Sequence, residues 1–104
     1  MPAAIVTVMY PKTETSTFDM GYYMKTHMPL VQEKWGPHGL TNWSVVDLDG
    51  KDGWSVQALL YWDSIESFGK ALESAAEEVF ADVPNFSSEK PLLVKGTEVP
   101  RHST

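Results

Sequence analysis

The sequence predicts an α+β domain in the order β-α-β-β-α-β, and three observations carry that reading. Short runs rich in β-branched and aromatic residues are interleaved with two longer runs whose apolar residues recur at helical spacing. A cluster of aspartates and glycines, Asp49-Gly50-Lys51-Asp52-Gly53, joins two of the strands directly as a hairpin. With 104 residues, the chain holds one such unit and one core, a single domain over 1–104.

The first strand covers residues 3–10 and stops at Pro11. Ala4, Val6 and Val8 fall on one face, with Ile5, Thr7 and Met9 on the other. After a polar connector, Ser16-Thr17-Phe18-Asp19 has the spacing of a capping box, with Asp19 alone as the alternative cap. Helix one runs from Asp19 to Lys34, its inward stripe read as Met20, Met24, His27 and Val31, widened by Tyr23 and Leu30. Pro29 removes a hydrogen bond to the Lys25 carbonyl and predicts a kink just beyond His27. Trp35-Gly36-Pro37-His38-Gly39 ends the helix and turns the chain.

Strand two spans 40–48 and strand three 54–62. Strand three places Trp54, Val56, Ala58, Leu60 and Trp62 on one face, and Leu59 and Tyr61 add apolar character to the other. Asp63, with Glu66 three residues on, caps helix two, whose apolar face is Ile65, Phe68, Leu72, Ala75, Ala76, Val79 and Phe80. The stretch Asp82–Phe86 is a loop, residues 91–99 form strand four, and the final RHST reads as frayed. This order is the ferredoxin-like one: a four-stranded antiparallel sheet with two helices on one face.

Composition narrows the function classes. Formal charge is −6, with Lys and Arg scattered, so no basic stripe offers itself to nucleic acid. No run approaches the ~20 apolar residues of a membrane helix, and MPAAIVTVMYP reads as a strand rather than a signal peptide. With no Cys, there is no disulfide, thiolate site or Cys nucleophile. A soluble cytoplasmic protein is expected. Two helices cover only one sheet face, yet strand three is apolar on both. Packing the uncovered face against a second copy predicts a homodimer, the alternative being a monomer whose loops fold over it.

Residues 18–40, FDMGYYMKTHMPLVQEKWGPHGL, resemble the signature region of the EthD family, and DVPNF at 82–86 resembles its second signature loop. The resemblance implies a dimeric α/β barrel of ferredoxin-like subunits, joined through their sheets, with a cleft between sheet and helices. It does not fix a reaction, since similar barrels include polyketide cyclases, lactone isomerases, decarboxylases and haem-handling enzymes.

His27 is the first candidate for chemistry. An imidazole on the inward stripe can move protons on an enolisable substrate without a cofactor. The bland alternative is a histidine that donates to the carbonyl freed by Pro29. Family position favours the first. Tyr23 shares its face and could hold a substrate oxygen, or simply pack. Trp43, Trp54, Tyr61 and Trp62 could line an aromatic pocket, or belong to core or dimer interface. Asp82, Asn85 and Phe86 draw interest from the family loop alone. His38, in a Gly/Pro turn, and His102, in the tail, are not expected to act.

No metal-ligand spacing, nucleophile elbow or phosphate loop is present. The expectation is a cofactor-free isomerase, cyclase or decarboxylase for a small apolar cyclic or aromatic molecule, polyketide-like or lactone, with His27 as acid or base. Met28 and Pro29 follow the histidine, so the sequence places no acid directly beside it. The alternatives are a non-catalytic binding protein and a haem-associated protein with His27 as axial ligand.

Overall fold

The computed structural model describes residues 3–100; His102 and the rest of 101–104 lie outside the described residues. The strands are β1 (Ala4–Pro11), β2 (Leu40–Asp47), β3 (Trp54–Trp62) and β4 (Leu92–Thr97). They pair antiparallel in the order β2-β3-β1-β4, which is the ferredoxin-like sheet. The helices, α1 (Met20–Tyr22), α2 (Met28–Trp35) and α3 (Ile65–Ala81), pack on one face of it.

Strand alternation decides which side chains the helices cover. Ala4, Val6, Val8 and Tyr10 are buried along β1, as are Val56, Ala58, Leu60 and Trp62 along β3. Burial of each large apolar chain is worth about 1.5–3 kcal/mol, so this face holds the core. On the other face Ile5, Thr7, Met9, Leu59 and Tyr61 are only half-buried, while Leu92 and Val94 of edge strand β4 are 48% and 55% exposed.

Four local readings are corrected. Asp19 alone caps α1, accepting the Tyr22 N–H at 3.0 Å, while Ser16 closes a turn with Thr13 instead. Ser64, not Asp63, caps α3 by accepting the Ser67 N–H; the Asp63 carboxylate accepts the Ser67 hydroxyl. Trp54 leaves the covered face because β1 and β3 slip register between Tyr10 and Pro11. It sits with Met9 and Gln57 in a depression at the hairpin end.

The fourth correction bears on the site. The helix distortion comes before the proline, as a π-helical turn over Tyr23–His27 in which the Met28 N–H reaches the Tyr23 carbonyl, five residues back. Pro29 then stands at the start of α2, where its missing N–H costs nothing. The wider turn rotates the inward stripe. Tyr23, His27, Met28, Val31 and Trp35 are buried, and Met24, read as inward, is 40% exposed.

Helix α3 also breaks. Ala75 has non-helical angles (φ −145°, ψ 26°), and its carbonyl accepts the indole N–H of Trp35 at 3.0 Å. The last turns of α3, carrying Val79, Phe80 and then Asp82, are thereby turned towards the π-helical segment.

Candidate active site

The site is built by two short pieces of chain meeting over the sheet. One is the π turn, which presents Tyr23 and His27. The other is the end of α3 and the 3-10 turn Val83–Asn85, which presents Asp82, Asn85 and Phe86. A pair of backbone contacts ties them together: Asp19 N–H to the Phe86 carbonyl at 2.8 Å and Ser88 N–H to the Thr17 carbonyl at 3.1 Å.

His27 is 4% exposed. Its ring stacks on Tyr23 (centroids 5.3 Å apart, planes at 15°) and lies 4.5 Å from the Phe86 ring. Nδ1 is 2.9 Å from Oδ2 of Asp82. Asp82 stands at the C-terminus of α3, where the helix dipole disfavours a negative charge. Its placement is made tolerable by donors. Besides His27, the Tyr22 hydroxyl donates to Oδ1 at 2.6 Å and the Asn85 amide at 2.9 Å.

These contacts set the protonation states. Burial alone would push the Asp82 carboxyl up, but the hydrogen bonds from Tyr22, Asn85 and His27 outweigh it and leave it below its ordinary value. Burial pushes the His27 imidazole down, and the carboxylate's opposing pull recovers only part of that. Both tendencies point to a neutral imidazole facing an ionised carboxylate. A carboxylate can only accept, so Nδ1 carries the proton and Nε2 the free lone pair. Among the described residues, Trp62 Nε1 is the fully buried side-chain nitrogen or oxygen left without a partner. Among the same residues Nε2 of His27 has no hydrogen-bond partner, and it is not fully buried.

His27 also lines an apolar cavity between sheet and helices. Val8, Tyr10, Ala58 and Leu60 floor it, Tyr23, His27, Met28 and Val31 wall it, and Val79, Phe80 and Val83 close it above. Its volume is about 20 Å³, room for about one water, so a ring compound has to displace the roof on entry. The polar groups facing it are His27 and the Tyr10 and Tyr23 phenols, whose hydroxyls burial holds well above the ordinary tyrosine range and therefore protonated.

The predicted site residues thus separate. Tyr23, His27, Asp82, Asn85 and Phe86 converge. Trp62 is buried against Trp35 and Phe68, Trp43 packs on the edge of the core, and Tyr61 lies on the uncovered face within reach of Ser44; none of these, nor Trp54, lines the cavity. An acid does stand beside His27. It comes from 55 residues away, where adjacency in sequence gives no hint of it. The sequence reading missed Tyr22 as a partner of Asp82 and Tyr10 as a cavity phenol. The spacing of Tyr22 and His27 was the available signal, but it becomes meaningful only once the helix is known to widen. Among the described residues no group of three or more His, Cys, Asp or Glu is placed to hold a metal ion, and no helix is long and apolar enough to cross a membrane.

The fold and the pair at its centre can be set beside known proteins. No family model and no curated protein matches the sequence. Solved structures do. An EthD-like protein from Ralstonia eutropha is 28% identical, with a TM-score of 0.86 over 99% of this chain and 97% of the other. An ethyl tert-butyl ether degradation (EthD) family protein from Bacillus halodurans is 23% identical, with a TM-score of 0.69 over 95% and 100%. SnoaB from Streptomyces nogalater, a cofactor-independent oxygenase, is 10% identical, with a TM-score of 0.64 over 99% and 97%. The chain therefore has the ferredoxin-like fold of these proteins. More particularly, it is a structural homologue of the EthD proteins, along its whole length.

Proposed function

We propose that the protein is a cofactor-independent enzyme in which His27, backed by Asp82, moves a proton on a small cyclic or aromatic compound. The observation that carries this is the 2.9 Å contact between Nδ1 and the carboxylate; in the neutral imidazole it places the proton on Nδ1 and the lone pair on Nε2, in a residue that lines an apolar cavity. Nε2 takes the proton of an acidic C–H or O–H, giving an enolate or phenolate and an imidazolium. Asp82 stabilises that imidazolium, and the Tyr23 hydroxyl can donate to the developing oxyanion. Returning the proton at another atom gives isomerisation, and attack of the enolate on a carbonyl before its return gives cyclisation. With a β-keto acid, Nε2 takes the carboxyl proton, carbon dioxide leaves, and the imidazolium returns the proton to the enolate carbon, giving decarboxylation. Polyketide-like phenols and lactones have the acidic positions and flat apolar bodies this requires. The shared fold of SnoaB, a cofactor-independent oxygenase, supports chemistry run by side chains alone.

The test is exchange of substrate C–H for deuterium in D₂O across a panel of β-diketo aromatics and unsaturated lactones, read by mass spectrometry. At least one compound should exchange with the wild type, and His27→Gln should slow it by about 10²–10⁴-fold, the usual worth of a positioned base. Undiminished exchange in the variant would sink the assignment.

The open sheet face supports a homodimer. Ile5, Leu59, Tyr61, Leu92 and Val94 make a contiguous apolar surface that monomers rarely leave in water, and several proteins of matching fold are described as dimeric ferredoxin-like proteins. Native mass spectrometry should give a dimer, and Val94→Lys should shift it to monomer. A monomeric wild type would count against the sheet-to-sheet reading.

A further inference from the structure

Tyr22 and His27 are five residues apart. On a continuous α-helix five residues turn through about 500°, which would leave the two side chains about 140° apart around the axis. The π turn over Tyr23–His27 winds more slowly and brings both to the same side. There they meet one carboxylate, Tyr22 Oη at 2.6 Å from Oδ1 and His27 Nδ1 at 2.9 Å from Oδ2 of Asp82. Asn85 also donates to Oδ1, at 2.9 Å.

The two Oδ1 donors do different work. Asn85 belongs to the same turn as Asp82 and hydrogen-bonds it through the backbone as well, so it steadies the carboxylate within its own turn and reaches the helix only through the turn's backbone contacts. Tyr22 and His27 belong to the helix. With His27 alone, the helix would hold the carboxylate by one side-chain contact; with Tyr22, it grips both oxygens. The Tyr22 ring has a separate role, stacked on Phe86 with centroids 6.2 Å apart. A hydroxyl at a half-exposed position could have been satisfied by water, so its aim at Asp82 is not required by packing.

We propose that Tyr22 is a positioning residue for His27, acting through Asp82, and that the π turn exists in this helix to bring the two onto one carboxylate. The hydroxyl holds the carboxylate plane so that Oδ2 faces Nδ1, which keeps the proton on Nδ1 and the lone pair on Nε2. This rests on the reading of His27 as the base.

The experiment is ¹⁵N NMR of the histidine rings in the full chain, without substrate, through a pH titration. Tyr22→Phe keeps the ring and removes the hydroxyl. Wild-type His27 should show the Nδ1–H tautomer. In Tyr22→Phe the two ring nitrogens should move towards averaged shifts, because the freed carboxylate no longer holds the proton on Nδ1 alone. Asn85→Ala, which leaves the helix grip intact, should change the shifts less. Wild-type shifts in Tyr22→Phe, or an effect of Asn85→Ala as large, overturn the proposal, even where thermal stability falls. Asp82→Asn sets the reference. If it too leaves His27 unaltered, the Asp82 pairing itself has failed. Loss of turnover in His27→Gln is read separately, so failure of the proposed function is distinguishable from failure of the Tyr22 assignment.

Discussion

The core has two aromatic ends, and they differ in what their polar atoms do. At one end Trp35 packs edge-on or tilted among Trp62, Phe68 and Phe80, with centroids 5.7–6.1 Å away. The Trp35 indole N–H is spent on the Ala75 carbonyl and that of Trp62 has no partner. At the other end Tyr10, Phe18, Tyr23 and Phe86 make an equally dense ring cluster, but it contains an imidazole held by an ionised carboxylate. Ring content therefore does not locate the site. A buried histidine paired with a carboxylate beside an apolar cavity is what marks the candidate site.

The largest effect expected from this contrast is on stability, at the tryptophan end. Trp35→Ala should cost about 3–5 kcal/mol, as truncation of a buried indole usually does, and should release the Ala75 carbonyl that marks the break in α3. Trp35→Phe keeps most of the contact area and loses the hydrogen bond, for about 1 kcal/mol. Denaturant midpoints measure both, and the variants that remain folded should retain the wild-type His27 tautomer. A tautomer that changes in Trp35→Phe would show that the two ends are coupled through the α3 break and would undo the separation.

The same contrast explains what was legible in the residues. Alternation along β1 and β3 and the helical stripe of α3 predicted the sheet, the sorting of its residues into two faces and the order of elements, because burial imposes those periods directly. Trp62 was grouped with the right face and its role left open between pocket and core, since the period places a ring inward without saying which cavity it meets. Met24 was misplaced because the π turn changes the period, and nothing in Tyr23–His27 advertises that change as plainly as Pro29 advertises a kink. Asp82 drew notice only through its family loop. Its bond to His27 is a long-range contact between a helix end and a turn, and neither spacing nor propensity encodes it. The Asp82–Asn85 spacing was readable as a turn, which it is, while its service to the carboxylate was not.

The smallest effect, and the one that isolates the polar end, is the response to acid. The His27 value lies below its ordinary 6.5 in the fold, so between those two values the unfolded chain binds a proton that the folded chain does not. Stability therefore falls as pH drops through that window. Asp82 lies below its ordinary 3.8; the stability it contributes is present above that value and lost as pH falls through the folded one. Both groups act in the same direction, giving an early decline below 6.5 and a later one below 3.8. Asp82→Asn should abolish the later decline and enlarge the early one, because the imidazole loses the charge that partly offsets its burial. Melting temperature followed by circular dichroism from about pH 7 to about pH 3 resolves the two steps. A wild-type curve that stays flat through the early window would mean that His27 is not held neutral by the fold, and the polar end would then be no different in kind from the tryptophan end.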